Sequence, residues 1–231
     1  PKSVSAVWAV GDAQLREQIE RAHERAIDQA LDYATQVVAM IRERTTPDEV
    51  IHLRPETLVA TSWRHTTARA VDGQPPDPQL HSHVLLHGAV REDGKVVAID
   101  SRSWLVHGRE LGAAYRTELA HELAHLGFGI QRATGRGGRY FEIDGVPTKL
   151  LDQWSSRHRQ VRQAIEARLQ DKRTALKAAI AVGGKEAAQA RARLDALDMS
   201  GQLGPREDRY LASATRAAKQ RLETRADLDR H

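Results

Sequence analysis

The chain has 231 residues, 40% of them apolar and only 4% aromatic, with no cysteine, a net charge of +4 and a pI near 9.6. That is enough apolar material for one large domain or two small ones, with a core built mostly from Ala, Leu, Val and Ile. The lack of cysteine excludes disulfides and thiolate metal sites and points to a reducing, cytoplasmic location. No apolar run approaches the roughly 18–20 residues of a membrane span, so no membrane segment is expected. No signal peptide is visible, and no internal repeat stands out. The chain opens on Pro1-Lys2-Ser3 without a methionine and reads as a fragment of a longer protein.

The charge is unevenly spread. Residues 1–147 carry a net −3 and residues 148–231 a net +7. Basic charge collected in one segment suits a nucleic-acid partner, although an Arg-rich solvated helix would look the same.

Residues 4–10 are small and apolar and read as the tail of a strand. Asp12 then stands where it can cap a helix. From 13 to about 44, Leu15, Ile19, Ala22, Ala26, Ala30, Tyr33, Val37 and Ile41 recur at spacings of three and four, which predicts one long helix. His23 sits on it among charged neighbours and reads as a surface residue. Thr45-Thr46-Pro47-Asp48 breaks the helix, and Pro55 confines any strand before it to a short piece. Residues 58–66 read as a strand, 70–78 as a Gly/Pro-rich loop, and 81–90 as a second strand. Glu92-Asp93-Gly94 signals a hairpin turn, with 95–100 returning as its partner. Residues 104–126 read as a helix with Leu111, Tyr115, Leu119, Leu123 and Leu126 on one stripe. Two short strands, 128–132 and 139–143, flank a glycine-rich turn. Beyond Pro147 only helices are expected: 150–182, a second after Gly183-Gly184 running to about 197, and a last one from about 206. The order predicts an α+β fold, with a mostly antiparallel sheet and helices packed on it. Its core would span 1–147, followed by a basic helical segment at 148–231.

Two metal motifs compete. His81 and His83 are two apart on a predicted strand, so their imidazoles share a face. His65, on the preceding strand, would join them if the two strands pair. Three neutral imidazoles suit a divalent ion such as zinc, nickel, manganese or iron, while ordinary polar strand residues explain the pattern about equally well. The second motif is His121-Glu122-Leu123-Ala124-His125 on the predicted helix, the H-E-x-x-H of zinc peptidases. Phe128 and Gln131 occupy the places of an extended ligand set, and Glu142 is left as a distant third ligand. Otherwise the motif is a coincidence on the flank of the Leu119/Leu123/Leu126 stripe.

At these residues the sequence resembles the relaxase domain of TrwC/TraI-type conjugative relaxases, the MobF family. Pro1-Lys2-Ser3-Val4-Ser5 is similar to the end of the family's S-A-P-K-S-V-S stretch. Arg64-His65-Thr66-Thr67-Ala68-Arg69, followed by Asp77-Pro78-Gln79-Leu80-His81-Ser82-His83, resembles its R-H-x-T-S-R…D-P-Q-L-H-T-H signature. Residues 112–123 are similar to its helix Y-x-x-E-L-A-x-E-L, and the late Ala/Arg helices to its C-terminal segment. The resemblance implies an HUH-type endonuclease with a palm-like sheet. Such an enzyme nicks one strand of a plasmid transfer origin and holds the 5′ end on a tyrosine. It implies His65, His81 and His83 as ligands of a divalent ion (Mg, Mn, Zn or Ni). Arg64, Arg69, Arg136 and Arg139 become candidate phosphate contacts, and the implied partner is single-stranded or hairpin DNA. It leaves open a helicase domain beyond His231.

The chain departs from the family pattern in three places. The family's catalytic tyrosines and an acidic helper residue lie ahead of the position of Pro1, and Tyr33, Tyr115, Tyr140 and Tyr210 do not match them, so no catalytic residue is identified within the chain. Gly73-Gln74-Pro75-Pro76 lengthens the loop between the histidines. His87-Gly88 stands where an asparagine often does, and His87 becomes a candidate fourth ligand or a backing residue. The expectation is a nicking-deficient portion of a relaxase; a zinc peptidase and a non-catalytic DNA-binding module remain the alternatives.

Overall fold

In the computed structural model of the chain, residues 1–71, 74–133 and 140–215 are described. They form an α+β structure with seven α-helices and three small antiparallel sheets. The chain divides into two compact units. The first holds residues 1–67 and 78–154, the second residues 68–77 and 155–231.

The first unit begins with a correction. Residues 4–10, expected as the tail of a strand, belong to helix α1 (Lys2–Val10). Its first turn is buried on all sides at Ser3, Val4, Ser5 and Ala6, so its small apolar residues carry no strand alternation. The orphan amide of Ser3 donates to Glu142 Oε2 at 2.8 Å, a carboxylate supplied from across the fold to a helix N-terminus. The two serines in turn satisfy neighbouring strands: Ile143 N donates to Ser3 Oγ at 2.8 Å and Leu80 N to Ser5 Oγ at 3.0 Å. Tertiary partners thus override a weak helix propensity.

Asp12 caps α2 (Ala13–Tyr33), accepting from Leu15 N at 2.8 Å, as its position suggested. The helix stops far short of residue 44. It widens into a π-turn at Ala34–Val38, and β1 (Ile41–Thr46) and β2 (Glu49–Leu53) then form an antiparallel hairpin. Val38, Ala39 and Ile41 are buried, so the apolar spacing runs on across the π-turn into a strand.

Strands β3 (Thr57–Thr67) and β4 (Pro78–Val90) form the long antiparallel ladder expected of them. β5 is only Val96–Val97, against Ala89 and Val90, with a lone bridge at Ile99. The return strand ends early because Asp100, buried, becomes the N-cap of α3 (Ser101–His125) and accepts from Arg102 N and His52 Nε2. β6 (Ile130–Arg132) and β7 (Phe141–Ile143) pair antiparallel, and α4 (Thr148–Gln153) follows. The core lies between α2, α3, α1 and β7, where Val4, Ile19, Ala22, Ala26, Leu119, Leu123, Phe141 and Ile143 meet. Ala22 and Ala26 are fully buried and let α2 come close to α3.

The second unit contains α5 (Ser156–Val182), α6 (Ala187–Ser200) and α7 (Pro205–Ala214). The helix expected at 150–182 is broken at Trp154-Ser155 into α4 and α5. Asp77 marks the start of α5, accepting from Ser156 N at 2.7 Å and Ser156 Oγ at 3.1 Å. Gly183 and Gly184, both at positive φ, separate α5 from α6 as expected.

Candidate metal centre

Pairing of β3 with β4 sets the register. His65 stands opposite His81, Arg64 opposite Ser82 and Trp63 opposite His83. Because strand side chains alternate, Trp63, His65, His81 and His83 share one face, and Arg64 and Ser82 share the other. The ring centres lie 5.3 Å apart for His65–His81, 4.9 Å for His65–His83 and 5.2 Å for His81–His83. Imidazoles on one ion, with bonds of about 2.1 Å and roughly 1.2 Å from nitrogen to ring centre, sit about 4.6 to 5.3 Å apart at octahedral or tetrahedral angles. The spacing fits a three-histidine site.

The ring planes do not yet converge, with interplanar angles of 26°, 77° and 66°. Among the described residues no three side chains already stand in ligand geometry. The two observations differ in kind. Strand register fixes where the rings are, whereas the last torsion of a histidine is broad and turns at little cost in an exposed ring. One nitrogen is already committed: His81 Nδ1 lies 3.0 Å from the carbonyl of Gln79, which leaves Nε2 for an ion.

His87 does not join the group. Four strand residues carry it about 13 Å from His83, and it is the extra residue of a bulge, between the pairs Ala60–Leu86 and Val59–Gly88. Its Nε2 lies 2.8 Å from Thr61 Oγ1.

Behind the histidine face stands a buried polar network that the sequence pattern did not reveal. His23, expected at the surface, is 3% exposed. Its Nδ1 lies 2.7 Å from Tyr115 Oη and its Nε2 2.9 Å from Ser82 Oγ. Burial, helped by Arg64 and His81, pushes its pKa down to about 4, so the ring is neutral near pH 7. Burial also holds the Tyr115 hydroxyl protonated, with a pKa pushed up to about 12. Ser82 sits between His81 and His83 in sequence, so this network grips β4 from the rear at the point where it presents two imidazoles. The missed signal was the spacing: His23 falls four residues after Ile19, on the buried stripe of α2.

Arg64, a candidate phosphate contact, points to the same rear face. It pairs with Glu20 at 2.8 Å and Glu24 at 2.5 Å and joins α2 to the sheet. Arg69 is exposed and belongs to the second unit. Arg136 and Arg139 lie outside the described residues. In the competing motif, Glu122 accepts from Arg25 Nε at 2.7 Å, and that guanidinium holds its carboxyl below the usual range. A carboxylate so held is a poor general base. Glu142, offered as its third ligand, is engaged with Ser3 N. The peptidase reading therefore fails on both counts.

The multifunctional conjugation protein TraI of Escherichia coli is 30% identical over 176 residues, a match that covers 71% of this chain and 9% of TraI. The conjugative relaxase TrwC in complex with oriT DNA, in its metal-bound structure, superposes with a TM-score of 0.69 at 25% identity, covering 100% of this chain and 66% of that one. A copper-bound form of the same complex gives 0.69 at 26% identity, over 100% of this chain and 65% of that one. TrwC with a 27-mer DNA comprising the recognition hairpin and the cleavage site gives 0.69 at 25% identity, over 100% and 68%. The family model described as TrwC relaxase matches residues 1–231. By that full-length match, the chain belongs to the TrwC relaxase family.

Proposed function

We propose that this chain is the metal- and DNA-binding part of a conjugative relaxase, a site- and strand-specific DNA strand transferase acting at a plasmid transfer origin. The observation that carries the reading is the placement of His65, His81 and His83 on one face of β3–β4 with ring centres 4.9–5.3 Å apart. When bound, a divalent ion (Mg, Mn, Zn or Ni) supplies a Lewis acid for an oxygen of the scissile phosphodiester. His81 offers Nε2 because its other nitrogen faces Gln79 O. His23, Tyr115 and Ser82 keep β4 from shifting under the ligands. Trp63, 51% exposed on the histidine face and opposite His83, offers a flat surface to a base beside the phosphate. Arg69, with Arg136 and Arg139, supplies positive charge for the DNA backbone; Arg64, engaged by two glutamates, leaves that set.

Attack on the phosphate falls to a tyrosine outside residues 1–231. Tyr115 is unsuited to the task, since burial holds its hydroxyl protonated behind the sheet, where it is hydrogen-bonded to His23. The TraI relative runs far beyond the matched stretch, and a downstream helicase domain belongs to the same proposal. So does a cytoplasmic location; no described helix is long and apolar enough to cross a membrane.

The test is fluorescence-anisotropy titration of the chain with a transfer-origin hairpin oligonucleotide, with and without Mn²⁺. The reading predicts hairpin binding tightened by metal, with the metal increment lost in His81→Ala. Equal affinity for the hairpin and for random duplex, insensitive to metal, would refute it.

A further inference from the structure

The His121–His125 pair is not used by the relaxase reading, and its peptidase role is excluded by Glu122 and Glu142. The pair itself remains. Both residues are exposed on α3, one turn apart, with ring centres 4.1 Å apart and planes at 63°. Leu119 and Leu123 on the same helix are buried at 1% and 0% exposure, which fixes the rotation of α3 and keeps both imidazoles on its outer side.

The helix is also firm where it carries them. Its last turn closes through Leu126 N to Glu122 O at 3.2 Å, Gly127 N to Ala124 O at 3.0 Å and Phe128 N to Leu123 O at 3.1 Å, with Gly127 at φ +91°. His125 is the final residue of the helix, where the macrodipole favours a cation. Glu122, between the two histidines in sequence, is paired with Arg25 and adds no unbalanced charge.

From these observations the geometry points to a second metal site, a two-imidazole chelate formed by His121 and His125 that takes a borderline transition ion such as Ni²⁺, Cu²⁺ or Zn²⁺. Octahedral angles call for ring centres about 4.6 Å apart, so a small rotation opens the pair to fit. Water completes the coordination, and no hydrolytic step is attached to the site. Both sites offer only imidazole nitrogens, three on the strands and two on the helix, so they are separated by affinity and by which histidine is replaced rather than by metal type. Once one imidazole has bound, the other is present at an effective concentration on the order of millimolar or higher, so losing either ring should weaken the site at least about tenfold.

The experiment is equilibrium dialysis of the whole chain against Ni²⁺ at pH 7.5, comparing wild type with His121→Gln, His125→Gln, the double variant and His81→Ala. Far-UV circular dichroism verifies that each is folded. Wild type should show a tight and a weaker phase. Either single glutamine variant should shift the weaker phase by tenfold or more, and the double variant should add little, since a chelate needs both rings. His81→Ala should remove only the tight phase. If the glutamine variants leave the weaker phase in place, or if their effects simply add, the chelate is disproved. Absence of the tight phase alone would count against the strand reading and leave this site standing.

Discussion

The first unit buries an apolar cluster of eight residues around Ile19, Leu119 and Leu123, whereas the second buries only Leu169, Ala190 and Leu203 as apolar side chains among its described residues. The second is held instead by ion pairs. Arg168 and Lys172 both reach Glu207, and Arg173 meets Asp198 at 2.7 Å. Exposed pairs of this kind contribute little each and weaken with salt. The first unit has the rigidity needed to aim three imidazoles, while the second offers a basic, lightly packed set of helices. The contrast predicts two unfolding steps, with the helical unit opening first.

The largest effect that separates the two is a cavity. Leu123→Ala removes a fully buried side chain and should cost the first unit about 2–5 kcal/mol in urea unfolding. Val182→Ala at the end of α5, 88% exposed, should change stability by under about 0.5 kcal/mol. Equal losses would show that the first unit lacks a packed core.

Acid should divide the units as well. His23 has a folded pKa lowered from 6.5 to about 4. The unfolded chain therefore binds the extra proton between those values, and stability falls as pH drops through that window, by up to about 3 kcal/mol. Glu207 behaves differently: hydrogen bonds from Lys172 and Arg168 lower its pKa, so its contribution is present above its ordinary 4.5 and is lost below it. Thermal melts from pH 7 to 4 should show the first unit weakening from pH 6.5 and the second only under more acid conditions. His23→Gln should flatten the slope of the first unit.

Smaller effects refine the picture. Trp63→Ala should weaken single-stranded DNA binding by about 1–3 kcal/mol while barely changing stability, because half of the ring is in solvent. Tyr115→Phe should cost roughly 1 kcal/mol or somewhat more in stability, since it leaves one His23 nitrogen without its partner. It should also weaken metal binding by loosening β4. Unchanged metal affinity in that variant would reduce the rear network to a packing role.

The histidine face was legible in the sequence because β3 and β4 carry its information locally. A two-residue repeat places His81 with His83, and a loop returns His65 beside them. The expected strands at 58–66 and 81–90 differ from Thr57–Thr67 and Pro78–Val90 by a few residues at most. Three other elements were hidden for physical reasons. α1 is a helix buried on every side of its first turn, so it lacks a polar face. Ile41 continues the helical spacing of α2 while lying in a strand, and the β1–β2 hairpin is rich in charge, with Arg42, Glu43, Arg44, Glu49 and His52, so the inward positions of β1 after Ile41 are not marked by apolar residues. His23 was masked by Glu20, Arg21, Glu24 and Arg25 around it, although its spacing from Ile19 put it on the buried side.

The central claim is that His65, His81 and His83 together hold a divalent ion. The most direct measurement is ¹⁵N NMR of the histidine rings during titration with diamagnetic Zn²⁺. The account predicts that the first equivalent shifts the ring nitrogens of these three residues together, at His81 through Nε2. Early shifts confined to other histidines, with these three unmoved, would contradict it.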